Sequence, residues 1–330
     1  MSTNDNLQDD YDVVVVGGGA AGLSAALVLG RARRRVVVVD SGRPRNAPAA
    51  HMQGFLGSDG LPPAELLARG RAEVAAYGVD MVDGTVTGLE PRDATPGSRF
   101  SRRGFTLTLA DGATLRARAV LVTTGLRDEV PDIPGVLERW GRDLLHCPYC
   151  HGYEVRDQPL GVLVGAPATT AETLAHAHLV RQWSPDVVLF ANGAALTAAQ
   201  REQLVARAIG VVDEPVVSLV VDDDRLTGVV VEGGRVVPRS AVFVRPQLVP
   251  NDSLLVDLGC VVGDSGWVRV DATGATSVPG IWAAGNATNP RAQVITAAGE
   301  GSAAAIAINS SLVEEDLPIA VAGFRLGLPA

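Results

Sequence analysis

The chain has 330 residues, a formal net charge of −9, 47% hydrophobic residues and 20% charged ones. That length gives room for two domains with their own cores, and the acid excess disfavours a nucleic-acid partner, whose phosphates need a basic surface. All 28 basic side chains are arginine, which excludes lysine Schiff-base chemistry, and no apolar run is long enough to span a bilayer. Residues 1–10 are polar and acidic and resemble neither a secretory signal nor a transit peptide. Three cysteines do not make a disulfide framework, so a cytoplasmic location is expected.

Residues 11–16 read Tyr-Asp-Val-Val-Val-Val and end in an unbroken valine run, as expected of a central parallel strand covered on both faces. The run ends in Gly17-Gly18-Gly19-Ala20-Ala21-Gly22, followed by a helical pattern over 23–29 and a second buried strand, 35–39, that closes on Asp40. This is G-x-G-x-x-G in the context it needs: strand, glycine turn, helix, strand, acidic residue about 20 positions on. Gly17 and Gly19 let the backbone approach a pyrophosphate at a helix N-terminus, Gly22 permits close helix–strand packing, and Asp40 is placed to accept from an adenosine ribose. Strands are expected at 82–89, 105–109 and 114–122, with a turn at Ala110-Asp111-Gly112 and an exposed loop over 91–104. The connector Val130-Pro131-Asp132-Ile133-Pro134-Gly135 marks a domain boundary.

Cys147-Pro148-Tyr149-Cys150 follows, set between His146 and His151. Two cysteines at this spacing read as a dithiol/disulfide redox pair whose flanking groups tune the thiolate. A zinc site would need two further ligands at compatible spacing. Cys260 stands alone in an apolar run and reads as a core residue, and His51, His176 and His178 form no second knuckle, so no metal is expected. A second nucleotide-fold-like unit begins beyond the pair, with a strand at 160–164, a helix at 171–182, a strand at 187–190 and more strands between 211 and 244. The chain is expected to cross back near 246–250, to run through turn, strand and glycine stop over 274–286, and to end in a helix over 294–312. The first domain, 1–128 and 246–330, is therefore discontinuous, with 129–245 inserted and carrying the cysteine pair.

The order of glycine fingerprint, Thr123-Thr124-Gly125, Cys-x-x-Cys and the late Ala283-Ala284-Gly285-Asn286 resembles the low-molecular-weight thioredoxin reductases over nearly the whole chain. The resemblance implies a two-domain α/β flavoprotein: a Rossmann-like FAD domain with an inserted second nucleotide-fold domain, generally homodimeric. It implies that Gly17, Gly19, Ala20, Ala21, Gly22, Asp40, Arg45, Asn46, Val86, Thr124 and Gly125 contribute to the FAD site. Gly285 and Asn286 would then meet the ribityl–pyrophosphate region, with Gln293 and Val294 beside the isoalloxazine. Asn286 replaces the family's usual aspartate and is still able to bond a hydroxyl. Cys150 is the thiol expected against the flavin and Cys147 the outer thiol that meets substrate. The carboxylate that follows the second cysteine in thioredoxin reductases is here His151, an imidazole of ordinary pKa about 6.5 and suited to act as base. His146 would orient Cys147.

The second domain departs from that family. Where a thioredoxin reductase carries its NADPH turn, this chain reads Gly165-Ala166-Pro167-Ala168-Thr169, and Pro167 has no N–H to offer a pyrophosphate. Where the family places cations for the 2′-phosphate it reads Phe190-Ala191-Asn192-Gly193. The pattern resembles instead the dithiol oxidases that close disulfides in sulfur-bearing natural products. The implied reaction oxidises a small-molecule dithiol to an intramolecular disulfide, with dioxygen as acceptor giving hydrogen peroxide. A reductase using NADPH or ferredoxin is the alternative, and a flavin-binding redox sensor a further one.

Overall fold

The computed structural model describes residues 10–93, 104–166 and 170–326. The chain divides into two compact units: Met1–Arg45, Ala64–Arg127 and Pro250–Ala330 form the first, Asn46–Pro63 and Asp128–Val249 the second. Residues 46–63, which chain order groups with the first domain, cluster with the second.

In the first unit the chain runs through β1 (Asp10–Val16), α1 (Ala20–Arg31), β2 (Val36–Asp40), α2 (Pro63–Ala75), β3 (Asp80–Asp83), β4 (Val86–Arg92), β5 (Gly104–Leu109) and β6 (Thr114–Val122). One sheet orders them β3-β2-β1-β6-β5-β4. β1 pairs in parallel with β2 and β6, whereas β4, β5 and the first half of β6 form an antiparallel meander. Side chains alternate between faces of a strand, so the valine runs feed two cores at once. Val14, Val16, Val37 and Val39 enter one cluster, and Val13, Val15, Val36 and Val38 the other.

Two local readings differ from the sequence. The strand expected over 82–89 is broken: Gly84 N–H bonds Asp40 C=O at 2.9 Å, ending the parallel ladder, and the chain restarts as β4 antiparallel to β5. Helix α2 has no counterpart in the sequence reading because its apolar stripe is thin, with Val74 buried and Leu67 partly so against the second cluster.

The chain leaves through β7 (Leu126–Glu129) and re-enters through β16 (Gln247–Pro250), which pair as a two-stranded ribbon. Between them lie α3 (Val136–Arg139), β8 (Leu144–Leu145), α4 (Pro148–His151), β9 (Leu160–Leu163), α5 (Thr170–Val180), β10 (Val187–Phe190), α6 (Ala198–Ala206), β11 (Ile209–Val212), β12 (Val216–Asp222), β13 (Arg225–Val231), β14 (Val236–Pro238) and β15 (Ala241–Val244). A parallel sheet runs β11-β10-β9-β15-β8, and β12-β13-β14 form an antiparallel one. Buried Arg139 is satisfied by Asp143 and Asp224, at 2.5 and 2.7 Å. Pro167, Ala168 and Thr169 lie outside the described residues.

After β16 come α7 (Ser253–Asp257), β17 (Ile281–Ala283), a 3-10 turn at Gly285–Ala287 and α8 (Val294–Arg325). β17 extends the first sheet by pairing in parallel with the end of β6. α8 packs so closely on α1 that a Cβ at Gly301 would lie 2.0 Å from Ala21 O. It does not end at 312 as expected. Arg118 binds Asp316 at 2.6 Å and Glu315 at 3.1 Å, and Arg34 binds Asp316 at 3.2 Å, so ion pairs hold the helix beyond its buried stretch. No helix among the described residues is long and apolar enough to cross a membrane.

Candidate active site

In an open parallel sheet, ligands bind outside the carboxyl ends of strands whose connections run in opposite directions. In the first unit that point lies at the ends of β1 and β6, where Gly17 and Thr123 meet. Gly17 has φ +108°, and a Cβ there would come 2.5 Å from Thr123 O, so only glycine fits. Thr123 Oγ1 donates toward Val16 O and Gly17 O at 3.1 and 2.8 Å, fixing the turn. A Cβ at Gly22 would sit 1.9 Å from Gly17 O, which is why the helix begins so close to the strand.

Gly19, the N-cap of α1, faces open space, with nothing within 4 Å of its Cβ position, and no side chain caps the helix. Orphan N–H groups at a helix N-terminus beside open space are suited to an anion. Asp40 faces the same turn: its Oδ2 would lie 2.7 Å from a Cβ at Gly18. Arg71 of α2 pairs with that oxygen and reaches Asp83 at 3.2 Å. These residues fit the adenosine diphosphate portion of FAD. Ala20 and Ala21 form the first turn of α1, and Ala21 is buried.

The other residues expected at the cofactor divide into groups. Asn286 donates both amide N–H bonds to backbone, to Asn289 O at 2.9 Å and Ala292 O at 3.0 Å, and its Oδ1 accepts from Arg45 at 3.3 Å. An aspartate could not donate to those two carbonyls, which explains asparagine here. Gly285, at φ +68°, donates its N–H to Glu300 at 2.9 Å, and Glu300 also accepts from Asn289 at 2.7 Å. Sequence reading missed Glu300, whose position inside a helical run gives no signal. Gln293 is the N-cap of α8 and Val294 its first residue. Thr124 Oγ1 donates to Asn251 O at 2.5 Å, and Gly125 O accepts from Asn251 N–H at 3.0 Å. Val86 is buried in the core beside Val39 and Val82. Asn46 belongs to the second unit.

In that second unit β8 ends at Leu145 and His146 leads into the cysteine pair. Cys147 is the extended N-cap of α4, with Pro148 at the first helical position, where a missing N–H costs nothing. The Cys147 carbonyl accepts from Cys150 N–H and His151 N–H, both at 3.1 Å. This one-turn wrap carries Cys150 Sγ to 2.6 Å from Cys147 Sγ, with both residues half-buried. Trp183 lies under Gly152, where a Cβ would meet its ring at 2.8 Å, and Tyr149 stands edge-on to it at 5.7 Å. Burial pushes the His151 pKa down, and the charge of Glu154 opposes that in part. His151 is therefore a neutral imidazole at neutral pH, the form that takes a proton. Glu154 accepts from Gln53 at 3.2 Å, an element of the 46–63 segment that the sequence did not connect to the pair. Among the described residues no group of three or more His, Cys, Asp or Glu is arranged to hold a metal ion.

The corresponding point of this unit lies at the ends of β9 and β15, where Gly165 and Asn192 stand. A Cβ at Gly165 would lie 2.8 Å from the Pro131 ring and 3.6 Å from Arg245 O. Asn192 donates Nδ2–H to Val164 O at 3.0 Å, and its Oδ1 accepts from Val216 N–H at 2.8 Å. Its side chain straps the ends of β9 and β10 to the start of β12.

A family model described as pyridine nucleotide-disulphide oxidoreductase matches residues 11–301. Among solved structures, that of HlmI is 55% identical, covers 97% of this chain and 98% of its own, and superposes with a TM-score of 0.90. Thioredoxin reductase sirT of Leptosphaeria maculans is 30% identical over 318 residues, 93% of this chain and 96% of that protein. Thioredoxin reductase tcpT of Claviceps purpurea (strain 20.1) is 37% identical over 185 residues, 55% of this chain. That match spans only 56% of the relative's length.

Proposed function

We propose that this chain, which belongs to the pyridine nucleotide-disulphide oxidoreductase family and is a thioredoxin-reductase-like FAD-binding flavoprotein, oxidises a small-molecule dithiol to an intramolecular disulfide. The observation that carries the direction is the crevice of the second unit. Asn192 has its amide bound to backbone on both sides, and residues 190–193 bring no cation. A pyridine nucleotide needs free backbone donors and, for NADPH, positive charge at these points.

In the first exchange a substrate thiolate attacks Cys147 Sγ of the Cys147–Cys150 disulfide, forming a mixed disulfide and releasing Cys150 as thiolate. The second substrate thiol loses its proton and attacks the substrate sulfur of that mixed disulfide. The cyclic disulfide leaves, and the enzyme retains two electrons as a dithiol. Neutral His151 takes a substrate proton, because only the thiolate is nucleophilic. Bound FAD supplies the two-electron acceptor that restores the enzyme disulfide, with dioxygen as final oxidant, so dithiol and dioxygen become disulfide and hydrogen peroxide. Gly17, Gly19 and Asp40 would hold its adenosine diphosphate, and Gly285 with the α8 N-terminus its flavin side.

Anaerobic mixing of the holoenzyme with NADPH should leave the flavin absorbance unchanged, whereas a simple dithiol should bleach it. In air the dithiol should yield one hydrogen peroxide per disulfide. Rapid bleaching by NADPH overturns the proposal in favour of a reductase.

A further inference from the structure

Arg245 stands directly after β15, the strand that lies between β9 and β8 in the parallel sheet. The register sets Phe243 opposite Leu145 of β8 and Val162 of β9. Two residues beyond that rung come Arg245 on one segment and Cys147 on its neighbour, and adjacent strands lie about 5 Å apart. Cys147 is still extended there (φ −100°, ψ 112°), and a Cβ at Gly165, past the end of β9, would lie 3.6 Å from Arg245 O. Both residues therefore sit at the carboxyl edge of this sheet. Alternate residues of a strand share a face. Val242 and Val244 enter one core cluster, whereas Phe243 enters the other and meets the His176 ring at 5.9 Å. Arg245 falls on the face of Phe243 and His176, and its charge helps to push the His176 pKa down. The His176 ring in turn lies 6.3 Å from that of His146, the residue before Cys147.

Arg245 is half-buried, and among the described residues no carboxylate pairs with it. Arg34, Arg118, Arg139 and Arg239, all largely buried, each bind a carboxylate. A partly desolvated cation without a counter-ion is unfavourable, so Arg245 is available to a charge that arrives with the reaction. Thiol–disulfide exchange supplies one, because a negative charge passes between sulfurs as one S–S bond forms and another breaks. Arg245 is not placed for a nucleotide 2′-phosphate, since β10, whose end would carry that cation, lies two strands away from β15. The acids four residues to either side of the pair leave its charge uncancelled. Asp143 is paired with Arg139, and Glu154 is exposed, where water and salt screen it. We propose that Arg245 is the counter-charge of the exchange site: it favours anionic sulfur at the cysteine pair, drawing in the substrate as its thiolate. That thiolate bonds to Cys147 Sγ, the Cys147–Cys150 bond breaks, and its electron pair leaves on Cys150 Sγ. The negative charge stays beside Arg245 throughout, and Arg245 exchanges no proton.

This role rests on the exchange reading of the cysteine pair, and its test needs no turnover. Holoenzyme is reduced anaerobically with a phosphine, desalted, and alkylated with either iodoacetate or iodoacetamide. The labelled peptide carrying Cys147 and Cys150 is quantified by mass spectrometry. Both reagents meet the same thiolate and differ in charge, so the ratio of their rates reports the potential at the sulfur and not its protonation. Arg245→Met keeps the apolar stem and removes the charge, and should lower the iodoacetate-to-iodoacetamide ratio about fivefold. Arg245→Lys keeps the charge and should stay within about twofold of wild type. An unchanged ratio in an Arg245→Met protein that melts like wild type overturns the proposal. An equal drop in Arg245→Lys overturns it too, by tracing the effect to packing of the guanidinium. Should Arg245→Met fail to fold, wild type is compared with 2-mercaptoethanol: a higher ratio that shrinks with added salt supports the counter-charge, and equal ratios overturn it. A wild-type enzyme that oxidises no dithiol, with the Arg245 effect intact, would count against the direction of electron flow and not against this role.

Discussion

Arg45 donates to Asn286 Oδ1 at 3.3 Å, joining residues 241 positions apart, while both N–H bonds of the same amide go to the carbonyls of Asn289 and Ala292. The amide therefore braces the strand-to-helix passage between β17 and α8. Replacing Asn286 with the family's usual aspartate should not be neutral here. A carboxylate has no N–H to give and would face two carbonyl oxygens. The cost expected for unsatisfied buried groups is about 1–3 kcal/mol. Asn286→Asp should melt lower than wild type and release flavin faster, read by thermal unfolding and by flavin fluorescence. Equal melting and equal retention would refute the bracing role.

Gly17 and Gly19 should respond differently to the same substitution. Gly17→Ala puts a Cβ 2.5 Å from Thr123 O at φ +108°, so the turn cannot form and the fold should be lost with the flavin. Gly19 has an ordinary φ of −77° and open space in front of it. Gly19→Ala should keep wild-type circular dichroism yet bind FAD at least about tenfold more weakly, because the added methyl enters the space that a pyrophosphate needs. Unchanged FAD titration by Gly19→Ala would place the dinucleotide elsewhere.

The lowered pKa of His151 sets the sign of the pH profile. In the proposed reaction its neutral form is the base, so dithiol oxidation should fall only below about pH 6.5, as the imidazole becomes protonated. His151→Ala should slow turnover about 100-fold near pH 7 and far less near pH 9, where substrate thiolate forms unaided. Glu154→Gln removes the charge that favours the imidazolium and should move the acid limb to lower pH. An equal loss at both pH values in His151→Ala would rule out its role as base.

His176 links pH to stability. Burial, with His146 and Arg245 adding to it, pushes its pKa down to about 3, against about 6.5 in the unfolded chain. The unfolded state therefore binds more protons between these values, and stability falls as pH drops below 6.5. At pH 5 this one group should cost about 2 kcal/mol relative to pH 7.5. Urea unfolding at the two pH values should show an acid loss about 2 kcal/mol smaller in His176→Gln than in wild type. The same pH dependence in both proteins would mean that His176 is protonated in the folded state.

The glycine turn, Asp40 and the paired cysteines were legible from sequence because each depends on local covalent constraints. A positive φ at Gly17, two sulfurs on one short turn, and an acid at the end of the next strand all follow from spacing along the chain. The valine runs of β1 and β2 were legible too, since burial on both faces of a parallel sheet leaves a continuous apolar run. The tertiary structure alone determined the rest. Burial of His176 beside His146, the attachment of Asn192 to Val164 and Val216, the pressure of Pro131 on Gly165, and the bond between Arg45 and Asn286 all join positions far apart in sequence. A histidine in a helix reads the same whether it faces water or a redox pair. Only the packing of α5 on its sheet, which sets His176 against His146 and Phe243, removes water from it, and loss of that water is what fixes its charge.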